Sequence, residues 1–231
     1  MLLDLIFELI SGNTPAYILL VQMLFSVVAL LLVFPVHECA HGLMALAFGD
    51  QTAKYQGRLT LSPLAHIDLR GFLFLMLFGF GWAKPVQIDA RYFKNRRLGT
   101  ILTAAAGPLS NIVFCFITYL IYGILFLLAE QNGVTWLAVF SQLFLYMAIY
   151  NATFAVFNLI PFPPLDGSKI LGEMLPMKLR FQYYNLERYS YIFFIVLILV
   201  LNRTGIVGIL SNGLMNLFTP AVNAILGGIF G

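Results

Sequence analysis

The sequence predicts an all-α, polytopic membrane protein of about four to six transmembrane or re-entrant helices with short membrane-associated β segments. Three observations carry that expectation. The 231 residues are 61% hydrophobic and only 10% charged, and mean hydropathy is +0.90. Apolar runs of roughly 18 residues or more, enough to cross a bilayer, recur along the chain. The stretches between them are polar or proline-rich, and one alternates in the manner of a strand. A net charge of +3 gives no reason to expect a nucleic-acid partner, so the expected partners are the lipid bilayer and other membrane proteins.

Each element follows from local chemistry. Residues 1–11 hold Asp4 and Glu8 without a basic start, so they read as an interfacial helix rather than a cleavable signal. A first, unusually long span covers about 17–48 and stops at Gly49-Asp50. Tyr55-Gln56-Gly57-Arg58-Leu59-Thr60-Leu61 alternates and reads as a short strand. Residues 71–82 are apolar but too short to span, which predicts a re-entrant or interfacial segment. Lys84-Pro85-Val86-Gln87-Ile88 reads as extended. A second span covers about 98–129 and a third about 134–159. Asn158-Leu159-Ile160-Pro161-Phe162-Pro163-Pro164-Leu165-Asp166-Gly167 follows, and its three prolines forbid a continuous helix. A fourth span is expected at about 189–201, and the tail 205–231 as a fifth span or an interfacial helix. The whole is one domain over 1–231, with a core at 17–201 and a C-terminal apolar helix at 205–231. Cys39 and Cys115 both lie in apolar segments and read as small buried hydrophobes, not as a disulfide.

The basic residues orient the spans. Twelve of the thirteen lie in residues 49–98 and 161–190, while the connection near residues 130–134 has none. The positive-inside rule makes the basic side cytoplasmic. The expected protein is therefore multi-pass in the cell membrane, with its N-terminus outside.

The chemistry-bearing motif lies inside the first span. His37-Glu38-Cys39-Ala40-His41 places two imidazoles at i and i+4, one above the other on a helix face, where they can hold one metal ion. Glu38, beside the first of them, is placed to take a proton from a water on that ion. Ionisable groups at membrane depth are expensive and mark function. The site then lies nearer the cytoplasmic face. A polar helix-packing cluster is the plain alternative. Catalytic zinc usually has three protein ligands plus water. Among the remaining acids, Asp166 stands apart, because it directly follows the proline-rich break, and broken backbone at membrane depth belongs where it lines a cavity. Asp166 also reads as a helix N-cap, a role compatible with ligation. His66, the third histidine, reads as a structural loop residue.

HECAH in the first long span, GPLSN in the next and NLIPFPPLDG downstream together resemble the site-2 protease family of intramembrane zinc metalloproteases. The resemblance covers about 17–175 and is that of a compact bacterial-type member without PDZ or CBS domains; Gly81-Trp82-Ala83-Lys84-Pro85-Val86 is similar to a loop of such members. It implies one Zn2+ per chain held by His37, His41 and Asp166, with Glu38 as the catalytic acid/base. It also implies a substrate or oxyanion role for Asn158, and a corresponding position for Asn111. Asn158 has a second reading from the residues themselves, satisfying a carbonyl freed by the Pro161 break. The implied activity is a zinc metalloendopeptidase that hydrolyses peptide bonds in or near transmembrane segments of membrane-protein substrates. The alternatives are a non-catalytic zinc-binding membrane protein or a metal transporter. A transporter would string ionisable groups through several spans, whereas here they converge on one place.

Overall fold

A computed structural model describes residues 14–78 and 84–230. Four helices within them are long and apolar enough to cross a membrane: α1 (Ala16–Ala47), α5 (Arg96–Asn132), α6 (Thr135–Asn158) and α10 (Ile206–Phe230). Shorter helices lie between: α2 (Thr52–Tyr55), α3 (Pro63–His66), α4 (Leu69–Phe78), α7 (Asp166–Met174), α8 (Met177–Asn185) and α9 (Ser190–Thr204). The chain is a multi-pass membrane protein.

α5 and α6 form the centre. Asn95 caps the start of α5 through the Leu98 amide, and left-handed Gly133 (φ +65°) ends it and reverses the chain into α6. α1 packs on both helices, α7 packs on α5, and α10 closes the far side against α6 and α5. The contacts are made by small side chains. Ala29, Ala104, Ala148, Ala152 and Ala155 are buried, whereas Leu20, Leu24, Leu102, Leu109 and Val113 face outward. That inversion suits a lipid solvent, where close backbone approach rather than hydrophobic expulsion joins helices. Around Cys115, Ala148 and Ala152 the α10 side chains Leu214, Met215 and Phe218 complete the packing.

Two expectations are corrected, and one left open is narrowed. The apolar tail forms the 25-residue α10, and it is this helix that has spanning length. The span expected at 189–201 is instead the 15-residue α9, roughly 22 Å by helical rise, short of a hydrocarbon core of roughly 30 Å. Gly205, at φ +64°, separates the two. The β segments do not form among the described residues. In 55–61 the alternation is spoiled by the α2 turn and by Gly57 at φ +65°, after which the Arg58 amide turns back to the Ala53 carbonyl at 2.9 Å. Residues 84–89 are without helix, but their amides donate to side chains and to the His66 carbonyl at the end of α3 instead of to a neighbouring strand. Of the segment expected at 71–82, residues 71–78 belong to α4 and the rest lie outside the described residues, as does the interfacial helix expected at 1–11.

The segment 84–89 and the residues just after it are tied at four points to α1, to the turn that follows it and to α3. Lys84 N donates to His66 O (2.7 Å) and Lys94 N to Phe48 O (3.2 Å). Val86 N donates to a Glu38 carboxylate oxygen (2.8 Å) and Asp89 N to an Asp50 carboxylate oxygen (2.7 Å). Asp50 is fully buried, and its other oxygen takes the amide and hydroxyl of Thr52. A buried carboxylate needs such partners, so the end of α1, the start of α2 and residue 89 are bound together.

Candidate metal centre

α1 is 32 residues long, so His37 sits roughly 15 Å from its C-terminal end by helical rise. Pro35, inside the same helix, has no amide to give to the preceding turn. His37 and His41 are 5% and 6% exposed. Their Nε2 atoms are 3.0 Å apart. Asp166, from the first turn of α7, brings one carboxylate oxygen, Oδ2, to 3.2 Å from His37 Nε2 and 3.1 Å from His41 Nε2. Three donor atoms thus form a nearly equilateral triangle. A tetrahedral zinc with bonds of about 2.0 Å spaces its ligands about 3.3 Å apart, so the donor set fits that ion with little movement.

The opposite ring nitrogens are already engaged. His37 Nδ1 is 2.6 Å from Asn111 Oδ1, and His41 Nδ1 is 2.7 Å from the Thr103 carbonyl oxygen. Both partners are acceptors, so each Nδ1 carries the proton and each Nε2 presents a lone pair to the triangle. This arrangement fixes tautomer and ring orientation at metal sites. Asn111 is completely buried. Its Nδ2 donates to Asn151 Oδ1 (2.7 Å), whose own amide donates to Met147 O (2.8 Å). The chain of bonds runs from His37 through α5 into α6 and leaves Asn111 no freedom to meet a substrate. In this structure Asn111 stands behind His37 as an orienting group. Replacing it with leucine should weaken metal affinity by about 10- to 100-fold, measured by competition with a chelator of known affinity.

Backbone chemistry brings α5 this close. Gly107 lies against both imidazoles. A Cβ there would lie 2.6 Å from His37 Cε1 and would overlap His41 Nε2. Pro108, the next residue, has no amide to give to the Ala104 carbonyl, which opens the helical ladder in the turn where Thr103 O accepts from His41. Gly167 has an analogous part for Asp166. A side chain there would strike the Leu159 and Ile160 carbonyls, so only glycine lets the proline-rich loop fold back onto the end of α6. α7 is then clamped from outside. Glu173, buried on α7, pairs with Arg180 at 3.0 Å and accepts from the Tyr184 hydroxyl at 3.0 Å.

Glu38 is part-buried on the same turn of α1 as the ligands, tied to Val86. A cleft of about 380 Å³ opens beside His41, between residues 85–90 and the Thr100, Thr103 and Ala104 face of α5, with Lys169 at its edge. Asn158 does not join the triangle in this structure: its Nδ2 donates to Phe154 O (3.0 Å) within its own helix. His66 is buried and bonded to Thr60 O, as a loop-fastening residue. Cys39 and Cys115 are free and buried. Gly107, Thr103 and Asn151 escaped sequence reasoning. Only Gly107-Pro108 carried a signal, as a glycine in the middle of an apolar helix.

Among the described residues, His37, His41 and Asp166 form the one group of three or more side chains able to hold a metal. Residues 25–201 match the model of peptidase family M50. The chain is 40% identical over 177 residues to "Putative zinc metalloprotease YwhC" of Bacillus subtilis, covering 75% of this chain and 79% of that protein. It is 29% identical over 144 residues to the like-named MJ0611 of Methanocaldococcus jannaschii, covering 60% of this chain and 64% of the relative. With Rip2 of Mycobacterium tuberculosis the figures are 28% over 174 residues, 73% and 64%. No solved structure gives a significant match. A matched family model over most of the chain, and a buried His-His-Asp triangle inside that matched stretch, lead to one conclusion: the chain belongs to peptidase family M50.

Proposed function

We propose that this intramembrane zinc metalloprotease holds its single zinc through His37, His41 and Asp166, uses Glu38 as acid/base, and cleaves substrates lying in the cleft beside His41. The observation that carries the reading is the triangle of ligand atoms, 3.0–3.2 Å on a side, buried between the spanning helix α1 and the short helix α7. When bound there, zinc polarises the scissile carbonyl and brings the pKa of a water down to about 7. Glu38 takes that water's proton as it adds to the carbonyl and hands it to the departing amine. The backbone bond from Val86, a residue that lines the cleft, fixes the position of the Glu38 carboxylate. Asn158 has to exchange its Phe154 bond to serve an oxyanion, so its contribution is smaller than that of a preformed donor.

The substrates we infer are transmembrane segments of other membrane proteins. A helical segment hides its carbonyls in internal bonds and must unwind before attack. Residues 85–88 supply an extended edge along one wall of the cleft, to which an unwound strand can add. The single 1–231 domain, with its core over 17–201, contains every group this chemistry needs. The basic connections after α1 and after α6 lie on one side of the bundle by simple alternation of spans, which supports a cytoplasmic placement of that side, an outside N-terminus and a site nearer the cytoplasm.

The test is cleavage of a single-span substrate in proteoliposomes. Wild type should cleave, a zinc chelator should stop it, and added zinc should restore it. Val86→Pro removes the amide that holds Glu38 and one edge of the extended segment, so cleavage should fall by about 100-fold or more while zinc stays bound. Undiminished cleavage by this variant would sink the role given to the segment.

A further inference from the structure

We propose that Lys169 is a positioning residue for the metal site, holding the second oxygen of Asp166 so that only one oxygen faces the histidines. This inference rests on the metalloprotease reading. Asp166 opens α7, and Lys169, three residues on, lies one turn further along the same face. The two oxygens of the carboxylate have separate neighbours. Oδ2 is 3.1–3.2 Å from the two Nε2 atoms, and Oδ1 is 3.5 Å from Lys169 Nζ. Ser168 does not compete for Oδ1, because its hydroxyl is turned to Leu165 O at 2.7 Å. The Asp166 side chain is 9% exposed and that of Lys169 is 48% exposed, so the ammonium reaches the carboxylate from the cleft side.

A carboxylate can serve a metal through one oxygen or both. Using both takes up a coordination position, whereas a catalytic zinc must keep one open for water. An ammonium on Oδ1 disfavours the two-oxygen mode. A structural role accounts poorly for Lys169, since a half-exposed pair at i,i+3 contributes only a few tenths of a kcal/mol to a helix. Its placement beside a ligand and inside the cleft has a different consequence: it preserves the open position.

The experiment compares wild type, Lys169→Met and Lys169→Arg as purified proteins. It reads metal content, melting temperature, kcat and KM on a single-span substrate, and the visible spectrum of the cobalt-substituted proteins. All three should hold about one metal and melt together. In K169M, kcat should fall by about 10- to 100-fold with KM little changed. Its cobalt absorption should weaken as the coordination number rises, and K169R should restore both. Wild-type kcat and an unchanged cobalt spectrum in K169M would overturn the proposal. So would a rise in KM alone, which would make Lys169 a substrate contact. Should K169M fail to fold, Lys169→Gln takes its place under the same criteria. A wild type that cleaves nothing would count against the proteolytic reading alone, because the cobalt spectra still decide for or against Lys169.

Discussion

Gly107→Ala should empty the metal centre while leaving the helical bundle standing. The added methyl would fall on His41 Nε2 and within 2.6 Å of His37 Cε1, the ring edges that face the metal. Alanine is a better helix former than glycine, so α5 itself gains from the change. Either the imidazoles rotate away, breaking their bonds to Asn111 and Thr103, or α5 withdraws from α1, at an overpacking cost of about 1–3 kcal/mol. Both routes destroy the triangle. Zinc affinity should drop by at least about 100-fold, at the upper end of what lost ligand orientation costs, with helicity by circular dichroism unchanged. Gly123→Ala, in the same helix, is the control. There the new methyl meets the flexible end of Leu226 at 2.6 Å, far from the site, and zinc should be retained.

Glu38→Gln should do the reverse, keeping zinc and removing turnover. Glutamine preserves the side-chain length and an oxygen that accepts from Val86 N, so the extended segment stays in place. It cannot accept the proton that leaves water. Rates should fall by roughly 10²–10⁴-fold, the usual contribution of a positioned general base, with KM nearly constant. A variant with near wild-type turnover would remove Glu38 from the chemistry.

These two predictions draw on different levels of legibility. The histidine pair was readable because helical spacing alone puts i and i+4 on one face. Asp166 was readable because a broken, proline-rich stretch that ends in an acid has few reasons to exist at membrane depth. The orienting groups were much harder to see. Thr103 acts through its carbonyl, which every residue has, so no letter of the sequence announces it. Gly107 acts through the absence of a side chain, and in an apolar helix that looks like ordinary packing. Asn111 was visible as a polar residue in a span, yet its direction was not: facing a ligand and facing a substrate leave the same trace in sequence.

The errors in the fold have a similar origin. Alternation over 55–61 suggested a strand because side-chain pattern was read without Gly57's backbone, which turns there. Residues 84–89 form neither helix nor strand, and what holds them is a set of long-range partners, Glu38, Asp50 and His66. Local pattern contains no information about such partners. The C-terminal tail was ambiguous because its glycines weaken a helix in water, whereas neighbouring helices and lipid stabilise it in a bilayer.

The measurement that bears most directly on the central claim is the zinc content of purified wild type beside Asp166→Ala, by elemental mass spectrometry. It needs no substrate. The account predicts about one zinc per wild-type chain and a large loss in the variant, because only Asp166 joins α7 to the two histidines of α1. Equal zinc in both proteins, or none in a folded wild type supplied with zinc, would contradict it.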